Sequence, residues 1–465
     1  MSKLRKVITL LVLLSIIITA CGPSGEGVSP GFQAGGSDFH TPTEAPTDEP
    51  EAMMAVGVDM AALNGVEVEF WHVWDGGPGE ALQGIIDDFN ATNEYGITVI
   101  GVEQGSYGDV STAMSAALNT GETPDLVVQY RDTYLGWQSA ADAVVDMTPY
   151  LDDPMVGYSA DEIAEFTPAY WSVDQVGDQR LGMPFSKSAQ FIFYNNTWAQ
   201  ELGFDAPPST PAEFKEQACA SVAANGDGTG GWFIHTGADT IASWIFAFGG
   251  EFESADGYSF NTPEALAAFE FMADLYTSGC AWKPEANYPN AEFATRQGLF
   301  YTSSSGGVGY QESANEEAGS TDEWSLIPYP TLEGGGALVS YGPSAIMIQS
   351  TPEEQLAAWL FLKFFSEAEN QVPWIEATGY YSPRATTIDL LTDYNESHPF
   401  YRAGYETVVA SARITSQHES AWAVRGAMQD AGALLFQDGF DPTTIPQILE
   451  DLDATAAELH AESLE

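Results

Sequence analysis

Few side chains in this sequence have the type and spacing to make or break bonds. It contains no HExxH, no GxSxG, no Walker loop and no clustered Cys/His set, and its six histidines are scattered. Neither a metal site nor a cofactor is expected. The stretch NGDGTGG opens like a calcium loop, but the twelfth position from Asn225 is Thr236, where such a loop needs an acid. A plain turn is expected instead. With 67 acidic residues, carboxylate pairs arise by chance, so their presence nominates no glycosidase pair.

Binding chemistry is better represented. Trp74, Tyr107, Trp244, Tyr310 and Tyr380 include aromatics beside glycines or polar turns, where rings either stack on sugar faces or fill a core. Basic side chains are scarce, which makes Arg131, Lys187, Arg384 and Arg425 conspicuous in or beside turn-like segments. Each is either a structural ion-pair partner or a donor to an anion or hydroxyl.

Composition narrows the setting. The chain has 465 residues, 44% hydrophobic and 12% aromatic, enough for a substantial core. Its 14 basic residues face 67 acidic ones, a balance that repels nucleic acid and anionic lipid headgroups. Lys3, Arg5 and Lys6, the apolar run from Val7 to Ile18, and the small residues Thr19 and Ala20 before Cys21 form an export signal. The string ITAC resembles the bacterial lipobox, so residues 1–20 are expected to be removed and Cys21 lipidated, for example with palmitate. That anchors the protein to the cell membrane on its extracytoplasmic face. In that oxidising setting Cys219 and Cys280 form a disulfide or remain as two buried thiols.

The elements that must position these residues follow. Residues 21–63 contain PSGEGVSPG and TPTEAPTDEPEA and read as a flexible stalk. VEVEFWHVW alternates as a strand does, and Ala81, Leu82, Ile85, Ile86 and Phe89 recur at helical spacing. The strand ITVIGVE, a helix from Gly108 to Asn119 and the strand LVVQY come next. That alternation predicts an α/β fold with a parallel sheet and ligands beyond the strands' carboxyl ends. His72, Trp74, Asp75, Ser106, Tyr107, Tyr130 and Arg131 fall there. GALVSYGPSAIMI reads as a returning strand pair, and Thr351 caps the apolar helix that follows it.

The segments EFWHVWDGGPGEALQGIIDDFNATN, NTGETPD, GMPFSKSAQFIFYN, YTSSSGG and TGYYSPR occur in this order. Together they resemble the extracellular solute-binding proteins of ABC importers, the class that includes maltose- and glycerol-3-phosphate-binding proteins. The resemblance covers residues 66–460. It implies a two-lobed, type II periplasmic-binding-protein-like fold, each lobe a central sheet flanked by helices, joined by a crossing-strand hinge. The N-terminal lobe would hold 64–186 and 341–379, and the C-terminal lobe 187–340 and 380–465. It further implies a monomer without enzymatic activity, which captures a small hydroxylated solute (sugar, polyol or glycerol phosphate) and delivers it to a membrane permease. Tyr107, Ser188, Ser304 or Ser305, Gly342, Tyr380 and Arg425 match the family's ligand positions, with Trp74, Asp75, Arg131 and Trp244 added from strand-end and aromatic positions. One match fails: Arg131 stands where the family has a glutamate that holds ligand hydroxyls. A secreted carbohydrate-active enzyme is the alternative that the acids and aromatics also permit, and a structural surface lipoprotein is a third.

Overall fold

The computed structural model describes residues 53–415 and 418–464. The export signal, Cys21 and most of the stalk lie outside the described residues. Two sheets organise the described chain. In the five-stranded sheet, Glu67–His72 runs parallel to Thr98–Glu103 on one side and to Leu126–Gln129 on the other. Ser344–Met347 pairs antiparallel with Leu126–Gln129 and with Met183–Pro184 at the edge. The expected parallel strand–helix alternation is thus present, and its cause is visible in the side chains. Val68 and Phe70 face a core that includes Leu356 and Trp359, while Trp71 faces Val110, Met114 and Tyr134. The strand is thus buried on both faces at its carboxyl end, while Glu67 and Glu69, on the Trp71 face, are exposed.

The helix Gly76–Thr92 buries Leu82, Ile85, Ile86 and Phe89, close to the apolar set read from spacing. Thr351 accepts from the Glu354 N–H and completes a capping box for the helix Pro352–Phe365.

The eight-stranded sheet is mixed. Ser188–Asn195 is its spine, antiparallel to Phe300–Ser304, Trp324–Ile327 and Gly336–Tyr341. Trp232–Phe233 lies parallel to Phe300–Ser304 and to Ala281–Trp282. The segment GALVSYGPSAIMI is not a strand pair in one sheet: Gly336–Tyr341 and Ser344–Met347 belong to different sheets, parted by Gly342 and Pro343. Ala412–Ile414 adds a strand parallel to Gly336–Tyr341.

The end of the expected stalk is folded. Ala55, Val58, Met60 and Leu63 are buried, and the Val56 N–H donates to Asp153 Oδ2 at 2.8 Å. These apolar residues follow an acidic, proline-rich run, and the five-stranded sheet's core gives them a place to bury. The NGDGTGG segment is a turn in which Asp227 accepts from the Thr229 N–H and hydroxyl. Beside it Cys219 and Cys280 are joined as a disulfide, with Cα atoms 4.5 Å apart. Among the described residues no helix is long and apolar enough to cross a membrane, and no group of acids, histidines or cysteines is arranged to hold a metal.

Candidate functional site

The strand Leu126–Gln129 ends at the residues that build one wall of a cleft. The Gln129 amide donates to the Tyr107 carbonyl at 3.0 Å, and its oxygen accepts from the Tyr130 N–H at 2.9 Å. One side chain therefore ties the strand end to the start of the helix Tyr107–Thr120, which Ser106 and Asp109 cap reciprocally. The Tyr107 and Tyr130 rings meet edge to face with centroids 4.8 Å apart. Asp132, nearly buried in the first turn of the helix Arg131–Ala141, completes this wall.

The opposite wall comes from elements of the other sheet. Tyr341 ends the strand Gly336–Tyr341 and donates its hydroxyl to Gln190 Oε1 at 2.8 Å. Gln190 in turn donates to the Thr240 hydroxyl at 3.1 Å. Asp239 lies in the first turn of the helix Ala238–Ala247. The helix Ala421–Leu434 buries Val424 and Met428 against the core, which leaves Arg425 and Trp422 toward the cleft. Between the walls is a cavity of about 520 Å³ lined by Tyr107, Gln129, Tyr130, Asp132, Asp239, Tyr341, Trp422 and Arg425, among others. That is the size of a small-molecule site.

Its electrostatics centre on one ion pair. Both terminal nitrogens of Arg425 donate to the two Asp239 oxygens, each at 2.7 Å. Burial alone would lower the arginine's pKa, but Asp239, with Asp132 and Tyr130 behind it, outweighs burial and raises it. Burial pushes the Asp132 carboxyl upward, opposed by backbone donors and by Arg425. Burial also pushes the Tyr107 and Tyr130 phenols up, with Tyr380 close enough to add to both shifts. These tyrosines are neutral donors and acceptors, as hydroxyl recognition requires.

Tyr380 also borders a second recess of about 390 Å³, with Gly306, Tyr310 and Glu376 in its lining. Gly306 marks a convergence: a Cβ there would lie 3.3 Å from the Tyr380 ring, 3.6 Å from Ser304 Oγ and 3.7 Å from Ser188 Oγ. Ser188 Oγ is buried without a protein partner. Tyr107 and Arg425 thus line the first cavity and Tyr380 the second recess, while Ser188 and Ser304 lie beside Gly306 and line neither.

Other expected site residues are elsewhere. Trp244 is fully buried among Phe214, Trp232, Phe271 and Tyr329, because it sits on the core face of its helix. Arg131 turns away from the cavity and donates to the carbonyls of Val173 and Gln175. Both bonds come from its Nη1 and tie a loop, while its Nε is buried without a protein partner. Trp74 is core, packed edge to face on Trp374 at 4.8 Å and stacked on Phe185. Asp75 is exposed at the start of the helix Gly76–Thr92 and lines neither recess. Ser305 is buried, accepts from the Ala189 N–H at 3.2 Å, and lines the second recess and not the first cavity. Gly342 is a turn at φ +145°, where a Cβ would strike the Ser186 carbonyl. Lys187 and Arg384 are structural too, Lys187 on hinge carbonyls and Arg384 paired with Glu165 at 2.6 Å.

Asp132, Asp239, Tyr341 and Trp422 were missed from the sequence. Tyr341 ends a strand and Asp132 follows one by three residues, the general ligand position, which was a usable signal. Nothing local distinguishes Asp239 or Trp422.

Residues 84–398 match the bacterial extracellular solute-binding protein family. The chain is 25% identical over 343 residues to the sn-glycerol-3-phosphate-binding periplasmic protein UgpB of Rhizobium meliloti, covering 70% of this chain and 77% of that one. In three dimensions it is similar to the cyclic alpha-maltosyl-1,6-maltose binding protein of Arthrobacter globiformis, with a TM-score of 0.73 at 21% identity over 85% of this chain and 99% of the other. It is also similar to UgpB of Mycobacterium tuberculosis in complex with glycerophosphocholine, with a TM-score of 0.68 at 18% identity over 86% and 99% of the two chains. The sheets flanked by helices, the cleft and the matched residues together place this chain in the bacterial extracellular solute-binding protein family, whose members serve ABC transporters as binding proteins and not as enzymes.

Proposed function

We propose that this protein is a lipid-anchored receptor that captures a sugar or glycerol-phosphate-like solute by closing two lobes on it and delivers it to an ABC importer. The observation that carries this reading is the cavity of about 520 Å³ walled by Tyr107, Gln129 and Tyr130 from one sheet's side and by Asp239, Tyr341 and Arg425 from the other's. A ligand touching both walls favours the state in which they are close, so binding and closure are linked. The lobes divide at residues 64–186 with 341–379 and 187–340 with 380–465. The relatives' printed solutes, glycerol 3-phosphate and maltosyl sugars, bound the ligand class.

Thermal-shift titration with sugars, polyols and glycerophosphodiesters tests the binding, because a ligand of the folded state raises the melting temperature. X-ray scattering on the best ligand tests closure: the radius of gyration falls if the lobes close. A protein that melts unchanged with every solute is not this receptor. Lipidation supports delivery by holding the receptor near its permease. A Cys21→Ala protein is expected in the soluble extracytoplasmic fraction, and its retention in the membrane would refute the anchor.

A further inference from the structure

Of the residues with charged side chains that line the main cavity, Arg425 is the one cation, while Asp132 and Asp239 are acids. Asp239 does not merely neighbour the guanidinium. It occupies both terminal nitrogens in a two-pronged pair, the arrangement with which arginine grips a bound carboxylate or phosphate. Asp239 also lies in the first turn of the helix Ala238–Ala247, where the unpaired backbone N–H groups and the helix dipole favour a negative charge. The two features that would attract an anion are thus both satisfied by a residue of the chain itself.

We infer that Asp239 is a specificity-determining residue that fills the anion position beside Arg425 and sets the site to neutral, hydroxyl-rich solutes over phosphates. This rests on the receptor reading above and deepens it by naming the ligand's charge class. A phosphate entering the cleft has to displace Asp239 or approach with Asp239 and Asp132 both facing it. The second course brings like charges together where solvent screens them poorly, and the first leaves a half-buried carboxylate without its partner. A neutral sugar meets no such cost. Its hydroxyls donate to the two carboxylates and exchange hydrogen bonds with the Tyr107, Tyr130 and Tyr341 phenols. The ion pair also holds Asp239 in one orientation, so its acceptors are fixed before the solute arrives.

The test is calorimetric titration of the purified mature chain with maltotriose and with sn-glycerol 3-phosphate, for the wild type and Asp239→Asn. The amide keeps the shape but removes the charge. Its dissociation constant for glycerol 3-phosphate is expected to be about 10- to 100-fold lower than the wild type's, the value of a charge-assisted hydrogen-bond pair set free. Equal affinity in the two proteins, or tighter phosphate binding by the wild type, overturns the inference. Asp239→Ser, which keeps a residue suited to a helix start, repeats the comparison, with circular dichroism verifying the fold. A variant that stays folded and still ignores the phosphate also counts against it. The receptor reading is judged separately: it fails if the wild type binds none of a panel of neutral sugars and polyols, whatever Asp239→Asn does.

Discussion

The ammonium of Lys187 donates to the carbonyl of Gly342 at 3.1 Å, joining two of the places where the chain passes between the sheets. The same nitrogen reaches the Pro343 carbonyl at 3.3 Å and the Ser344 hydroxyl, which donates to Asp174 at 2.8 Å. The backbone of Lys187 exchanges hydrogen bonds with Tyr381 on a third passage, at 3.3 and 2.7 Å. One residue therefore ties three strands of a hinge.

Burial, partly offset by Asp174, pulls the Lys187 pKa down to about 8. The sign follows directly. Between pH 8 and the ordinary lysine value near 10.5, the unfolded chain binds a proton that the folded protein does not, so folding gains with rising pH. The penalty of burying the charge is complete below pH 8. Urea unfolding of wild type and Lys187→Met at pH 7.5 and 10 should show the difference between them move in the wild type's favour by about 2 kcal/mol. The tyrosines titrate in both proteins and cancel. A difference that stays constant with pH would refute the lowered Lys187 pKa in the folded hinge.

Gly342→Ala tests the same passage through its backbone. The φ of +145° is unfavourable for any residue with a Cβ, and that carbon would sit 2.1 Å from the Ser186 oxygen. The substitution should cost at least about 2 kcal/mol by urea unfolding and weaken solute binding, since the lobes cannot keep their angle. A variant as stable as the wild type would show that the turn relaxes freely.

Removing the disulfide with Cys219→Ser and Cys280→Ser opens a loop spanning 61 residues. Chain entropy puts the loss at about 4 kcal/mol in the chain-entropy model. The effect is confined to stability: solute affinity measured well below the melting temperature should stay within twofold, because neither cysteine lines the cleft.

Trp422 is 73% exposed and lines the cavity at its mouth. An indole there is placed to cover a sugar face. Trp422→Ala should weaken sugar binding by up to about tenfold, while stability changes by less than about 0.5 kcal/mol. Unaltered affinity in calorimetry would remove it from the site.

The sequence by itself determined what rests on neighbours along the chain. Leu82, Ile85, Ile86 and Phe89 repeat at helical spacing and face the core as that spacing requires. Strand and helix alternate through the first lobe, so the parallel sheet and its ligand-bearing ends were legible, Tyr107 among them. Of the residues taken from the ordered motifs, Arg425 joins Tyr107 in one cavity and Tyr380 borders another recess. Tertiary structure alone decided what those side chains meet. Arg425 was legible as a binding cation, but its partner Asp239 is 186 residues away, and no local pattern links the two. Trp244 and Trp422 are both helical tryptophans preceded by a small residue, yet one is sealed among four aromatic rings and the other faces solvent. Arg131 follows a strand end, where ligands are expected, but the carbonyls of Val173 and Gln175 come within reach of its Nη1, and it does not line the cavity. Helical and strand periods fix which way a side chain points within its own element; the packing of elements distant in sequence fixes what it points at.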